Sequence, residues 1–161
     1  MALTVGTDAY DTLASVRAYW AARGDTAWAL LADAAAEVLI IKATDYVDRN
    51  WDYIGEKATG TQRLKWPRQY AEVEGFALSI TDIPWQVEES TAIIADMYRL
   101  GTFDLEGIVT DDNAAISMTK VDVITVQYDT SKRLGGADIP SHVYKLLDPL
   151  TRGVGGTLVR A

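Results

Sequence analysis

The chain has 161 residues, an apolar fraction of 48%, a net charge of −8 and no cysteine. This length predicts a single domain. The absence of cysteine excludes disulfides, thiolate metal sites and a cysteine nucleophile. A net negative charge disfavours binding to nucleic acid or to an anionic membrane over the surface as a whole. We expect no signal peptide, because Met1 is followed by neither a basic segment nor a long apolar one, and no apolar run reaches the length of a membrane span.

The charges are grouped along the chain. Residues 55–68 and 130–161 each carry a net charge of +3, whereas residues 1–54 carry −4 and residues 69–129 carry −10. One interpretation is that these charges only solvate the surface. The other is that the two basic segments dock on acidic surfaces of neighbouring copies or partners.

The first part of the chain predicts two helices. Thr12 can cap a helix over residues 13–23, and Gly24 can end it. A short helical turn over residues 27–31 follows, with Trp28 as its apolar anchor.

The stretch over residues 33–53 predicts the central helix, with Asp33 as its N-cap. Its apolar residues recur at steps of three and four and form a wide band. They are Leu39, Ile40, Ala43, Tyr46, Val47 and Trp51. A helix with so much apolar surface must pack at the centre of a bundle.

Residues 55–68, GEKATGTQRLKWPR, predict a basic loop that projects from the domain, since glycines and threonines replace any apolar period. Its end is an apolar knot flanked by cations: Arg63, Leu64, Lys65, Trp66, Pro67 and Arg68. Trp66 has two open interpretations. It either anchors the loop to the central helix or contacts a base or a subunit.

The next segment is ambiguous over residues 70–80, where alternating apolar residues fit a short strand and a loop equally well. Thr81 to Pro84 then predict the start of a helix that ends at Gly101. We expect Trp85 to lie in the core, together with Trp20, Trp28 and Trp51.

The last third predicts an acidic irregular segment at 104–113 and a β-hairpin at 115–128 with its turn near Asp122. A short helix over residues 139–147 and a tail over residues 150–161 complete the chain. The expected fold is mainly α: a small helical bundle with a short β-hairpin, a projecting basic loop and a flexible C-terminal tail.

We therefore divide the chain into a helical domain, 1–149, and a docking tail, 150–161. No catalytic, cofactor-binding or metal-binding residue is predicted, and we expect no enzymatic activity. His142 is the single histidine and has no second base near it in sequence. The acidic run at 111–113 lacks the ligand spacing of a calcium loop, and the glycines form no phosphate-binding motif.

Several stretches in order carry a resemblance to a known family. They are AYWAARGDTAW, IKATDYVDRNW, LKWPR, DIPWQVEESTAIIADMY, KVDVITVQYD and PLTRGVGGTLVR. In this order they resemble the head–tail connector, or head-completion adaptor, proteins of tailed bacteriophages, the group labelled with a DnaT-like domain. The similarity spans nearly the whole chain, and its most specific parts are A-T-D-Y-V-D, Trp66-Pro67-Arg68 and the helix start at Ile83-Pro84.

The resemblance implies a structural virion protein of the phage neck, assembled in the host cytoplasm. Such adaptors form a ring, typically of twelve copies, under the portal protein. They bind a downstream neck or tail protein and extend a channel through which viral DNA passes without specific binding. The contacts with partners and neighbouring copies are then expected in the basic knot and the tail, at Arg63, Leu64, Lys65, Trp66, Pro67, Arg68, Arg152, Leu158, Val159 and Arg160.

The family label also supports an alternative, a single-stranded-DNA-binding replication accessory protein. Cations and an aromatic ring in one loop could hold phosphates and stack on bases. The residues would be Lys57, Arg63, Lys65, Trp66 and Arg68. The net charge of −8 argues against this alternative.

Overall fold

The computed structural model describes residues 3–101, 118–121, 124–127 and 139–152. The helices are α1 Leu13–Ala21, α2 Ala27–Leu30, α3 Asp33–Asn50, α4 Trp85–Arg99 and α5 Ser141–Leu147. The strands are β1 Glu56–Lys57, β2 Arg68–Gln69, β3 Glu72–Val73, β4 Phe76–Ala77, β5 Met118–Val121 and β6 Ile124–Gln127. The predicted mainly α fold with a short hairpin is thereby confirmed. No helix in the described ranges is both long enough and apolar enough to cross a membrane.

Helices α3 and α4 form the most extensive contact between two elements. The buried residues of α3 recur at steps of three and four, as the 3.6-residue period requires. The buried residues of α3 are Ala36, Ile40, Ala43, Thr44 and Val47. Those of α4 run without a break from Ser90 to Asp96, with Val87 one turn earlier. The prediction that α3 lies at the centre of a bundle agrees with this packing.

The N-terminal helix begins as predicted. The Oγ1 atom of Thr12 accepts a hydrogen bond from the backbone nitrogen of Ser15 at 3.0 Å, which satisfies a free donor of the first turn. The helix ends at Ala21, two residues before the predicted end. Gly24 then takes a φ of +81°, the left-handed conformation that favours glycine after a helix.

The central helix differs from the prediction at both ends. Its N-cap is Ala32, and Asp33 is its first helical residue. There the carboxylate pairs with Arg17 at 2.8 Å and lies at the positive end of the helix. The helix ends at Asn50, because Trp51 has an extended backbone.

The ambiguous segment at 70–80 contains a tight hairpin. Strands β3 and β4 pair antiparallel, with Val73 opposite Phe76. The two turn residues, Glu74 and Gly75, have φ values of +53° and +83°. Two positive φ values in a two-residue loop are the requirement of a type I′ turn. In the later hairpin Val121 pairs with Ile124, and the predicted turn residue Asp122 lies outside the described residues.

The C-terminal helix closes the bundle against α4. Helix α5 leads into a 3₁₀ turn, Asp148–Leu150, and Val143, Leu147 and Leu150 are fully buried. The predicted acidic segment at 104–113 and tail residues 153–161 lie outside the described residues.

Three of the four tryptophans predicted for the core lie at least partly in it. Trp28 is 0% exposed and Trp51 is 9% exposed, and the half-buried Trp20 donates its Nε1 hydrogen to the Ala92 carbonyl. The prediction was wrong for Trp85, which is 59% exposed. It is the first residue of α4, and the buried stripe of that helix starts two residues later, at Val87.

Candidate partner interface

Near the end of α3, hydrogen bonds connect this helix to the N-terminal segment and to the 55–68 loop, and we call this set of hydrogen bonds the joint. The Thr44 Oγ1 atom accepts a hydrogen bond from the Tyr10 backbone nitrogen at 3.1 Å. One turn later, Asp48 Oδ1 accepts from the Tyr10 hydroxyl and from the Lys65 backbone nitrogen. Burial and the nearby Asp48 carboxylate raise the pKa of Tyr10, so its phenol stays protonated and can donate. The A-T-D-Y-V-D motif therefore supplies the acceptors of the joint.

Arg68 fixes the loop from the other side. Its guanidinium donates to the carbonyl oxygens of Ile54 at 2.6 Å and Gly55 at 2.7 Å. It also donates to the carbonyls of Lys65 at 3.2 Å and Tyr53 at 3.3 Å. With a residue exposure of 8%, Arg68 binds backbone of its own chain in this fold.

The C-terminal segment is attached to the same loop. The Ile54 backbone nitrogen donates to the Leu150 carbonyl at 2.9 Å, and the Arg152 nitrogen donates to the Asp52 carbonyl at 2.8 Å. The Arg152 side chain adds a 3.0 Å bond to the Gly55 carbonyl. Gly55 has a φ of +70°, and a Cβ there would lie 2.4 Å from the Gln69 oxygen, so only glycine fits this crossing.

The predicted contact residues of the knot divide into two groups. Leu64, Trp66 and Arg68 are buried within the chain. The Trp66 ring lies 5.5 Å from that of Tyr53, so the structure favours its interpretation as an anchor. Arg63, at 67% side-chain exposure, makes one long ion pair with Asp8, at 3.7 Å.

The remaining predicted contacts are more varied. Lys65 is half-buried and donates to the Trp51 carbonyl at 2.7 Å. Pro67 is half-buried and lines a cleft described below. Arg152 is exposed, and Leu158, Val159 and Arg160 lie outside the described residues. As partner contacts, all ten residues stay a prediction.

A second surface was not found from the sequence. Nine large hydrophobic side chains are exposed in the described part, and four of them fall between residues 70 and 85. We call these four the apolar segment: Tyr70, 80% exposed, Phe76, 76%, Ile80, 60%, and Trp85, 59%. Residues 69–98 contain six acidic residues and no lysine or arginine. Exposed large apolar side chains, where they form a contiguous patch, are a feature of protein interfaces.

Next to the apolar segment lies an open cleft of about 380 Å³. Its walls come from the N-terminal segment, the 55–68 loop and the start of α4. The lining residues are Val5, Gly6, Pro67, Thr81, Asp82, Ile83 and Glu88. Burial, with a smaller contribution from Asp11, raises the pKa of Glu88.

Asp11 gives this region a pH-dependent stability. Burial raises the pKa of its carboxyl, against the opposing hydrogen bonds from Ser15 and Thr12. A raised pKa means that the folded state binds the proton more tightly than the unfolded state, so stability falls as pH rises through it. We expect Asp11→Asn to raise the urea midpoint at pH 7 and to lose this advantage as the pH is lowered. The exposed Glu72→Gln is the control and should shift stability by less than about 0.5 kcal/mol. A gain that is equal at all pH values would contradict the assignment.

The described residues contain no group of three or more histidine, aspartate or glutamate side chains that could hold a metal ion. His142 lies exposed on α5. The geometry is that of a mainly helical domain with two groups of exposed side chains. One is the part of the 55–68 loop with Lys57 and Arg63, which we call the outer loop, and the other is the apolar segment.

A family model described as "Putative DnaT-like ssDNA binding protein" matches residues 2–161. The chain belongs to this family. The description agrees with the single-stranded-DNA-binding alternative and names neither a portal nor a phage neck. Comparisons with curated proteins and with solved structures found no match.

Sequence reasoning also missed the internal ion network beside α4. The Trp28 Nε1 atom donates to Asp96 Oδ1 at 2.8 Å, and Arg99 Nε donates to the same oxygen at 2.6 Å. Arg99 also pairs with Asp25 at 3.1 Å. The available signal was Asp96 itself, a carboxylate in line with the apolar stripe of α4.

Proposed function

We propose that this chain is a structural, non-catalytic adaptor subunit of a phage neck, which joins copies of itself into a ring and docks on a portal protein. The observation that carries the proposal is the apolar segment. Its three aromatic side chains are exposed, and the stretch around them carries six carboxylates and no cation. Such a surface repels phosphate and gains free energy when a protein covers it.

The charge distribution supports contacts between copies. The acidic stretch at 69–98 and the basic segment at 130–161 lie on one chain, so each copy carries both halves of a complementary pair. A head-to-tail contact between unlike surfaces closes into a ring when the rotation permits. A net charge of −8 would also keep a DNA channel from binding the genome that passes through it.

The test is the double variant Phe76→Ser/Trp85→Ser, mixed with the portal ring of the same phage and analysed by sedimentation and electron microscopy. Exposed aromatic anchors at an interface are worth about 2 kcal/mol or more each. We expect binding to weaken by at least about tenfold, with an unchanged urea midpoint. The matched control is Leu30→Ser, because Leu30 is 85% exposed but lies outside the apolar segment. Equal portal binding by all three proteins would overturn the proposed surface.

The second candidate function is single-stranded DNA binding, which the printed family description favours. The fold removes two of the residues that the sequence suggests for the DNA contact. Trp66 has no exposed surface and Arg68 binds backbone carbonyls, so neither can stack on a base or hold a phosphate without leaving the core. Lys57 and Arg63 remain exposed on the outer loop.

This candidate is tested by fluorescence anisotropy with a labelled oligothymidylate at low and moderate salt. If it is correct, binding weakens steeply with salt, and Lys57→Glu/Arg63→Glu abolishes it. If the adaptor proposal is correct, no binding is seen, and the portal assay gives the positive result.

A further inference from the structure

Three cationic residues converge on one short run of backbone. Every carbonyl of residues 51–55 accepts a hydrogen bond from Lys65, Arg68 or Arg152. The Gly55 oxygen accepts from two guanidinium groups at once, from Arg68 at 2.7 Å and from Arg152 at 3.0 Å. Because both bonds end on one oxygen, the two donating Nη2 atoms lie within about 6 Å of each other, a distance at which like charges repel.

The two guanidinium groups have no counter-charge at ion-pair distance among the described residues. Lys65 pairs with the exposed Asp52 carboxylate at 3.5 Å. Arg68 and Arg152 bond to backbone carbonyls, which are neutral. Two positive charges therefore lie side by side without a carboxylate between them.

Arg68 is the buried member of this pair, with a residue exposure of 8%. Burial, followed by the charge of Arg152, lowers the pKa of the Arg68 guanidinium, with smaller opposing contributions that include Asp48. A guanidinium stays charged through such a shift. Because a buried charge without a counter-charge is costly, an anion that binds next to it recovers part of that cost.

Arg152 is the accessible member of the pair. It is exposed, and its one side-chain hydrogen bond in the described fold is the bond to the Gly55 carbonyl. Its backbone nitrogen also donates to the Asp52 carbonyl at 2.8 Å, so both ends of the residue are held against the 51–55 run. A guanidinium has several N–H donors in one plane, so most of those of Arg152 remain for a ligand. Planar, forked donors fit the oxygens of a phosphate.

We propose that Arg152, next to the buried charge of Arg68, binds a phosphate dianion. Arg152 donates to the phosphate oxygens, while Arg68 keeps its bonds to the backbone and contributes its charge. A phosphate monoester or free phosphate carries nearly two negative charges at neutral pH and three strong acceptor oxygens, so it balances two guanidinium groups better than one carboxylate does. The source of the phosphate is either the free ion or the terminal monoester of a nucleic acid strand. The site goes beyond the neck proposal, since it belongs to one free chain and needs neither ring nor portal.

Isothermal titration calorimetry of the full-length chain with sodium phosphate tests the site. The titration is made at constant ionic strength and at about pH 7.5, where phosphate is mainly a dianion. We expect Arg152→Gln to weaken phosphate binding at least about tenfold, because glutamine can still donate to the Gly55 carbonyl but has no charge. The matched control is Arg49→Gln. Arg49 is also an exposed arginine, but it pairs with Asp45 at 3.7 Å, so its loss should change the affinity by less than about twofold.

Two oligothymidylates distinguish the sources, one with a 5′-phosphate and one with a 5′-hydroxyl, each labelled at its 3′ end. If the source is a strand end, fluorescence anisotropy shows binding of the phosphorylated strand alone, and Arg152→Gln weakens it at least about tenfold. If the source is the free ion, inorganic phosphate binds and neither strand does. Binding of none of the three probes, or equal losses in Arg152→Gln and Arg49→Gln, would overturn the inference. Equal affinity for the two strands would also overturn it and would favour the second candidate function, because internal phosphodiesters would then carry the binding.

Discussion

Replacing Arg68 with alanine is expected to lower the free energy of unfolding by about 3 kcal/mol or more. Four backbone carbonyls of the 53–65 region would lose a charged donor, at distances that now run from 2.6 to 3.3 Å. Arg68 is only 8% exposed, and its four bonds to these carbonyls are buried or part-buried. Urea denaturation followed by circular dichroism measures the loss.

Two further variants separate the effect of the several planar donors of the guanidinium from the effect of its charge. Arg68→Lys keeps the charge but cannot donate to carbonyls in several directions from one plane, so we expect it to recover less than half of the loss. Arg63→Ala removes an arginine from the exposed part of the same loop and should cost less than about 0.5 kcal/mol. A stable Arg68→Ala protein would show that the loop is held by apolar packing alone.

The second large effect concerns the two fully buried tryptophans. Trp28→Ala and Trp66→Ala should each cost about 3–5 kcal/mol, because both side chains are 0% exposed and leave a cavity. Replacement by phenylalanine distinguishes the two tryptophans, because it removes the indole nitrogen while keeping an aromatic ring. The Trp28 indole donates to the Asp96 carboxylate at 2.8 Å, whereas the Trp66 indole nitrogen has no hydrogen-bond partner in the described structure.

Trp28→Phe is therefore expected to cost about 1.5 kcal/mol more than Trp66→Phe, the contribution of a hydrogen bond to a charged acceptor. Thermal and urea unfolding of the four variants measure the difference. Equal costs for the two phenylalanine variants would contradict the assigned hydrogen bond. The Trp28 variants should also show a larger shift in the coupled Asp25–Arg99 region by amide exchange, since Arg99 shares the Asp96 oxygen.

Local signals predicted most of the helices. The Thr12 cap, the apolar period of α3 and the proline before α4 act over three or four residues, so they can be read from neighbouring letters. The wrong predictions concern residues whose position depends on contacts between parts of the chain that are distant in sequence. Asp33 lies in the first turn of α3, where it pairs with Arg17, and Trp85 lies outside the buried face of α4, which starts at Val87.

For the exposed surfaces, the composition can be read from the sequence: a basic loop, an acidic stretch free of cations, and membership of a family whose model matches residues 2–161. Which side chains of the loop are exposed depends on the packing of the folded chain. Trp66 and Arg68 look like a binding motif beside Arg63, yet the backbone carbonyls that Arg68 contacts belong to residues that lie up to fifteen positions away. Burial is a property of what packs on a residue from elsewhere in the chain, and for that reason no local pattern can reveal it.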